Sequence, residues 1–197
     1  MHRRDVNSRK MEGFCFMAVA FVFGGARSGK SAIAERLAAS KQEGRADSVL
    51  YIATAQASDG EMAERIRRHQ AARPRDWLTV EEPLQVAGEV RKHADVPVIL
   101  IDCLSLLVNN WMFLERCDGA GFEYRKQELI AALQDFHGLA VCVSNEVGQG
   151  IVPADAATRQ YRDWLGWLNQ AVAAVADPVY WVAAGIPVDV RSFEAQL

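Results

Sequence analysis

The sequence predicts an α/β fold with a mainly parallel sheet flanked by helices, and three observations carry that expectation. Apolar runs of strand length recur along the chain and alternate with segments of helical period. Several of these runs, such as Val98-Ile99-Leu100-Ile101, are apolar at every position, the pattern of a strand covered on both faces. The first run, Ala18-Val19-Ala20-Phe21-Val22-Phe23, leads straight into a glycine-rich turn and then an amphipathic helical pattern.

That turn reads Gly24-Gly25-Ala26-Arg27-Ser28-Gly29-Lys30-Ser31, with glycines at the two fixed positions of a phosphate-binding loop and Lys-Ser to close it. The chemistry needs these residue types. Glycine lets the backbone turn tightly and approach phosphate oxygens. Successive N–H groups then form an anion nest at the positive end of the next helix. Lys30 reaches the β- and γ-phosphates, and the Ser31 hydroxyl completes a Mg²⁺ shell. The loop therefore predicts a nucleotide-binding protein.

Composition narrows the field. At 197 residues the chain suits one domain with a sizeable core. A net charge of −3 leaves no basic excess to neutralise a phosphate backbone, so no nucleic-acid partner is expected. No apolar run has the length of a bilayer span. The start, Met1-His2-Arg3-Arg4, is basic, yet the apolar stretch behind it feeds the loop. Cleavage there would destroy the first strand, so a cytoplasmic protein is expected and secretion is not. Cys15, Cys103, Cys117 and Cys142 lack paired short spacing and read as reduced thiols.

In order along the chain, residues 1–16 read as a disordered extension, and 17–197 as a single catalytic domain. A helix is expected over 30–41, a turn-rich connection over 42–47 and a strand over 48–54. That strand ends in Thr54-Ala55-Gln56-Ala57, at the carboxyl edge where open parallel sheets bind ligands. A helix from about 60 to 72 stops at Arg73-Pro74. A short strand over 77–80 follows, and then a helix with Pro83 at its first position, running to 93. The strand over 97–102 ends in a carboxylate. A helix from 104, a break at 118–121 and a helix over 122–136 come next. A strand over 139–144 ends in Asn145-Glu146, the longest helix covers 154–176, and a last strand over 179–184 precedes a short tail.

Four groups of residues could carry chemistry. Asp102, at a strand end downstream of the loop, is either a Mg²⁺-associated acid or a strand-end cap. His69 shares a helix face with Met62 and Ile66, which suits a packed histidine. Yet Arg65, Arg67, Arg68 and Arg73 lie close in sequence, and cations disfavour protonation of an imidazole, keeping it nucleophilic. Both readings stay open on the residues alone. The stretch 144–153, with two glycines and a proline, suits substrate contact or a mobile flap. In the long helix Arg162, Gly166 and Asn169 share a face. Gly166 there suggests close approach of another backbone or subunit, and Trp164 and Trp167 read as packing residues.

These segments together resemble the bifunctional adenosylcobinamide kinase/adenosylcobinamide-phosphate guanylyltransferases of cobalamin biosynthesis. The resemblance runs from Met17 to Gly185. It rests on the loop from Gly24 to Ser31, on Tyr51-Ile52-Ala53-Thr54-Ala55, and on Glu61-Met62 with Arg65-Ile66 and His69. It rests further on Asp102-Cys103-Leu104, on Ser144 to Gly148 with Gly150 to Pro153, and on Arg162-Asp163 with Gly166, Asn169 and Gln170. The resemblance implies a RecA-like P-loop NTPase fold and a homotrimer. It implies phosphorylation of adenosylcobinamide by ATP or GTP. It also implies transfer of GMP from GTP, through a guanylylated histidine, to adenosylcobinamide phosphate. The histidine matches His69, with Lys30 as catalytic partner. Nucleotide contacts carry over to Gly24, Gly25, Ala26, Arg27, Ser28, Gly29, Lys30, Ser31, Thr54, Ala55, Gln56, Gln70, Ala71, Ala72, Arg73, Glu81 and Asp102, and Mg²⁺ ligation to Ser31 and Asp102. The segment 109–123 matches less well and receives no function. A small-molecule kinase with a structural His69 is the alternative.

Overall fold

A computed structural model describes residues 18–41, 47–56, 60, 64, 67, 74 and 76–195. The expected extension over 1–16 lies outside the described residues, and so does most of the expected helix over 60–72. Seven strands form one sheet: β1 (Ala18–Gly24), β2 (Val49–Ala53), β3 (Leu78–Glu81), β4 (Val98–Asp102), β5 (Leu139–Asn145), β6 (Val179–Ala183) and β7 (Ile186–Asp189). Their order is β3-β2-β4-β5-β1-β6-β7. Every neighbouring pair is parallel except β6 and β7. The helices with both ends among the described residues are α1 (Lys30–Ala39), α2 (Val86–Lys92), α3 (Leu104–Phe113), α4 (Gly119–Asp135) and α5 (Ala156–Val175). The sheet is thus mixed, mostly parallel and flanked by helices.

The unbroken apolar runs are explained by two cores, one on each face. Val98 and Leu100 of β4 pack with Val22, Tyr51, Val141 and with Ile33, Ala34 and Ala38 of α1. Ile99 and Ile101 point the other way, into a larger core with Leu104, Leu107, Trp111, Phe122, Leu129 and Leu168. Phe122 stacks on Trp164 at 4.6 Å between ring centres. Among the described residues no helix is long and apolar enough to cross a membrane.

Three boundaries differ from the sequence expectation, each for a local reason. The helix expected to open at Pro83 starts at Val86 instead. Glu82 Oε1 accepts from the amides of Leu84 and Gln85, both at 2.8 Å, and holds those residues in a turn. The expected break at 118–121 is a helix start, because the Asp118 side chain caps α4 by accepting from the Gly121 amide at 2.8 Å. The expected tail folds back as β7. Ala184 (φ +50°) and Gly185 (φ +81°) make a two-residue hairpin turn with both φ positive. Ala at the first of those positions hid the turn from the sequence.

An ion-pair network ties α4 to the chain before it. Arg125 Nε donates to both oxygens of Glu115 at 3.1 Å, while its Nη1 donates to Gln85 Oε1 and Glu128 Oε2. The Arg125 hydrogen bond, reinforced by its charge and opposed by desolvation, holds the Glu115 carboxyl below its ordinary value of 4.5. A depressed folded value means stability present above pH 4.5 and lost as pH falls through the folded value. Acid titration of unfolding therefore shows a loss below that pH, and Glu115→Gln flattens this limb by up to about 1 kcal/mol. Equal acid limbs in the two proteins would exclude the pair as a contributor.

Candidate functional site

Strand register brings the polar strand ends to one edge. Gly24 pairs with Asn145, Asp102 with Val143 and Ala53, and Ala53 with Glu81. The loop after β1, Thr54 to Gln56 after β2, Glu81 and Asp102 all lie along this carboxyl edge, which parallel strands share by construction.

The loop is held from two sides. Arg27 (φ +57°) and Gly29 (φ +93°) turn the backbone, and the Ile33 amide donates to Gly29 O at 3.2 Å to open α1. Lys30 Nζ reaches across to Gly25 O at 3.2 Å. On the far side the β6–β7 hairpin tip buttresses the loop, with the Gly185 amide donating to Ser28 O at 2.8 Å. No acidic residue occupies the first turn of α1, so its positive pole is uncompensated. Ser28 Oγ is buried and has no hydrogen-bond partner among the described residues. A glycine-rich loop opening a helix, with an orphaned buried hydroxyl, has the form of an anion cradle.

Asp102 continues the parity of Val98 and Leu100, so its carboxylate stands on the α1 face of the sheet, the face whose helix starts with Lys30 and Ser31. Tyr51 OH donates to Asp102 Oδ2 at 2.7 Å. The next residue, Cys103, is buried. Burial first, and then the Asp102 charge, push its thiol up, while Lys30 is near enough to pull the other way. That thiol is protonated and inert at neutral pH.

Comparison with known proteins bears directly on this edge. Residues 20–190 match the family model described as cobinamide kinase/cobinamide phosphate guanyltransferase. The chain belongs to that family. The bifunctional adenosylcobalamin biosynthesis protein CobP of Pseudomonas aeruginosa is 43% identical, covering 86% of this chain and 95% of the relative. The proteins of the same description named CobU, from Escherichia coli and Salmonella typhimurium, are each 40% identical, covering 86% of this chain and 98% of theirs. Among solved structures, the flagellar accessory protein FlaH of Methanocaldococcus jannaschii matches with a TM-score of 0.49 at 14% identity, over 89% of this chain and 76% of that one. That likeness is too distant to bear on function. As a member of the cobinamide kinase/guanyltransferase family, the chain is a nucleotide-using transferase of cobalamin biosynthesis.

In this cobinamide kinase/guanyltransferase family member, the edge brings together the loop from Gly24 to Ser31, Thr54 to Gln56, Glu81 and Asp102. His69, Gln70, Ala71, Ala72 and Arg73 lie outside the described residues. Of the arginines expected to surround His69, Arg67 donates to Glu64 at 2.7 Å, so its charge is locally matched. Gly166 makes no close contact within the chain, since a Cβ there meets nothing within 4 Å. Trp164 packs in the core, while Trp167 is 52% exposed and meets the core at Phe122, 6.4 Å between ring centres. In the stretch 144–153 Ile151 is 96% exposed, apolar and uncovered within this chain.

Sequence reasoning missed how the edge is held in place. Asn110 lies in the segment that received no function. Yet its buried Nδ2 donates to Thr54 O at 2.8 Å and Pro83 O at 3.1 Å, clamping the exits of β2 and β3 together. Trp111 Nε1 donates to Leu84 O at 2.9 Å beside it. Thr54 Oγ1 donates to Cys103 O and accepts from Cys103 N, both at 2.8 Å, joining the exits of β2 and β4. Asn169 is likewise a strut, donating to Asn145 O at 3.0 Å, while Asn145 Nδ2 donates to Ser105 Oγ at 3.0 Å. An Asn one turn from a helix end offers no local signal for such a long-range bond.

The loop's first glycine is fixed by packing. A Cβ on Gly24 would lie 2.3 Å from Val182 O, a backbone atom of β6. Gly24→Ala must push β1 and β6 apart, at a cost of about 1–3 kcal/mol. Thermal unfolding and nucleotide titration of this variant should both show the loss. Unchanged stability would mean the strands separate freely.

Proposed function

We propose that the cradle from Gly24 to Ser31 binds the triphosphate of GTP and serves both reactions of the family. The start of α1 at Lys30, with no acid in its first turn and on the same side of the sheet as Asp102, is the observation that carries this reading. The backbone amides and Lys30 bind phosphate oxygens, and Thr54 to Gln56 and Glu81 lie along the edge for the nucleoside. Strand order, with β5 between the loop-bearing β1 and the Asp102-bearing β4, supports a RecA-like P-loop assignment. Residues 17–197 then act as one catalytic domain, with 1–16 an extension, in a cytoplasmic homotrimer as the resemblance implies.

Mg²⁺ fits the donor set on offer. Ser31 and Asp102 supply hydroxyl and carboxylate oxygens, the hard ligands it prefers. Among the described residues no group of three or more His, Cys, Asp or Glu could hold a metal alone, which suits an ion that takes its remaining ligands from phosphates and water. When bound, the ion neutralises phosphate charge.

For guanylyl transfer, a neutral His69 nitrogen attacks the α-phosphorus of GTP. The P–N bond forms, the bond to the bridging oxygen breaks, and pyrophosphate leaves. The proton on the other ring nitrogen passes to solvent. Lys30 and Arg27 stabilise charge on the departing oxygens. A phosphate oxygen of adenosylcobinamide phosphate then displaces the histidine, giving adenosylcobinamide-GDP. In the kinase reaction the aminopropanol hydroxyl of adenosylcobinamide takes the γ-phosphoryl group from ATP or GTP bound in the same cradle. Incubation with α-labelled GTP tests the proposal. The protein should retain label that is acid-labile and alkali-stable, and added pyrophosphate should discharge it. Transfer of γ-phosphoryl with no labelled protein would leave a kinase with a structural His69.

A further inference from the structure

We infer that Tyr51 is a positioning residue for the metal-nucleotide complex, acting through Asp102; the inference rests on the reading of Asp102 given above. Tyr51 stands on β2 opposite Leu100 of β4, two residues before Asp102 and on the same face of the sheet. Its ring is buried in the core under α1, which fixes the ring's direction. The hydroxyl alone reaches the polar edge, where it donates to Asp102 Oδ2 at 2.7 Å. A strand-end aspartate at a sheet edge has rotamer freedom that a single donor of this kind removes. With Oδ2 taken by the phenol, Oδ1 is the carboxylate oxygen that the tyrosine leaves to a ligand. Asp102 is therefore presented in one orientation before any ligand arrives.

The arrangement has the form of an outer partner that orients a metal-associated carboxylate. Loss of such partners typically costs 10–100-fold in metal affinity. Where the carboxylate acts through a bound water, the lower end of that range is the expectation. Phenylalanine keeps the buried ring and removes only the donor, so Tyr51→Phe separates orientation from packing.

The test is binding, not turnover. A GTP analogue with a methylene group between the α- and β-phosphorus is titrated onto the full chain, first in EDTA and then across a Mg²⁺ series. Tyr51→Phe should keep the metal-free affinity within about twofold and shift the half-saturating Mg²⁺ concentration up about tenfold. Asp102→Asn should shift it as well, and Tyr51→Phe should add nothing in the Asp102→Asn background, since the two act through one carboxylate. An unshifted Mg²⁺ curve in Tyr51→Phe, with or without a lower melting temperature, overturns the inference, as does an additive double variant. An unshifted curve in Asp102→Asn would instead overturn the reading of Asp102 itself.

Discussion

His69→Asn is expected to abolish covalent labelling by α-labelled GTP, a loss of roughly 10⁴-fold or more, as removal of a nucleophile gives elsewhere. An Asn amide approximates the imidazole's reach and hydrogen bonding, but its nitrogen lone pair is delocalised and does not attack phosphorus. The anion cradle is a separate stretch of the chain. It is built from β1, the loop and the first turn of α1, and braced by Gly185. Equilibrium binding of GTP should therefore stay within about tenfold of the parent, or 1.4 kcal/mol. Phosphorylation of adenosylcobinamide should persist, because γ-phosphoryl transfer to a hydroxyl needs no enzyme nucleophile. Retained label in His69→Asn would move the covalent chemistry to another residue.

Lys30→Ala should act on both reactions at once. Lys30 is the first residue of α1, and its ammonium spans the loop to Gly25 O. Removing one preorganised charge from a phosphoryl site costs about 10²–10³ in rate. Stability should move the other way. A cation in the first turn opposes the helix dipole, so its loss is worth about 0.3–1 kcal/mol in favour of the fold. The pair of readouts is diagnostic, since rates fall while the melting temperature holds or rises. A parallel drop in rate and stability would show that Lys30 mainly braces the loop.

How far the site could be read in advance depended on how local its causes are. Gly24 to Ser31 was legible because the chemistry and the backbone turn are written in eight consecutive residues. Asp102 was legible as a strand end with a carboxylate, but its face is decided only by the packing of Val98 and Leu100 under α1. Tyr51 read as one more apolar residue of a buried strand. Its hydroxyl acquires a role only because register sets β2 beside β4 and brings Asp102 within reach. Asn110 was passed over for the same reason, as both its acceptors are backbone carbonyls distant in sequence. At Gly166 the chain's own fold leaves open space, so of the two neighbours expected there another backbone of this chain is not one.

The sequence by itself determined the class of the fold, the glycine-rich loop motif and the family. Periodicity, turn composition and a contiguous motif are properties of neighbours along the chain. Only the tertiary structure decided which strand follows which in the sheet, that the chain ends in a hairpin bracing the loop, and which side chains hold the carboxyl edge in register. Those outcomes depend on hydrogen bonds and packing between segments far apart in sequence, whose partners no local pattern encodes.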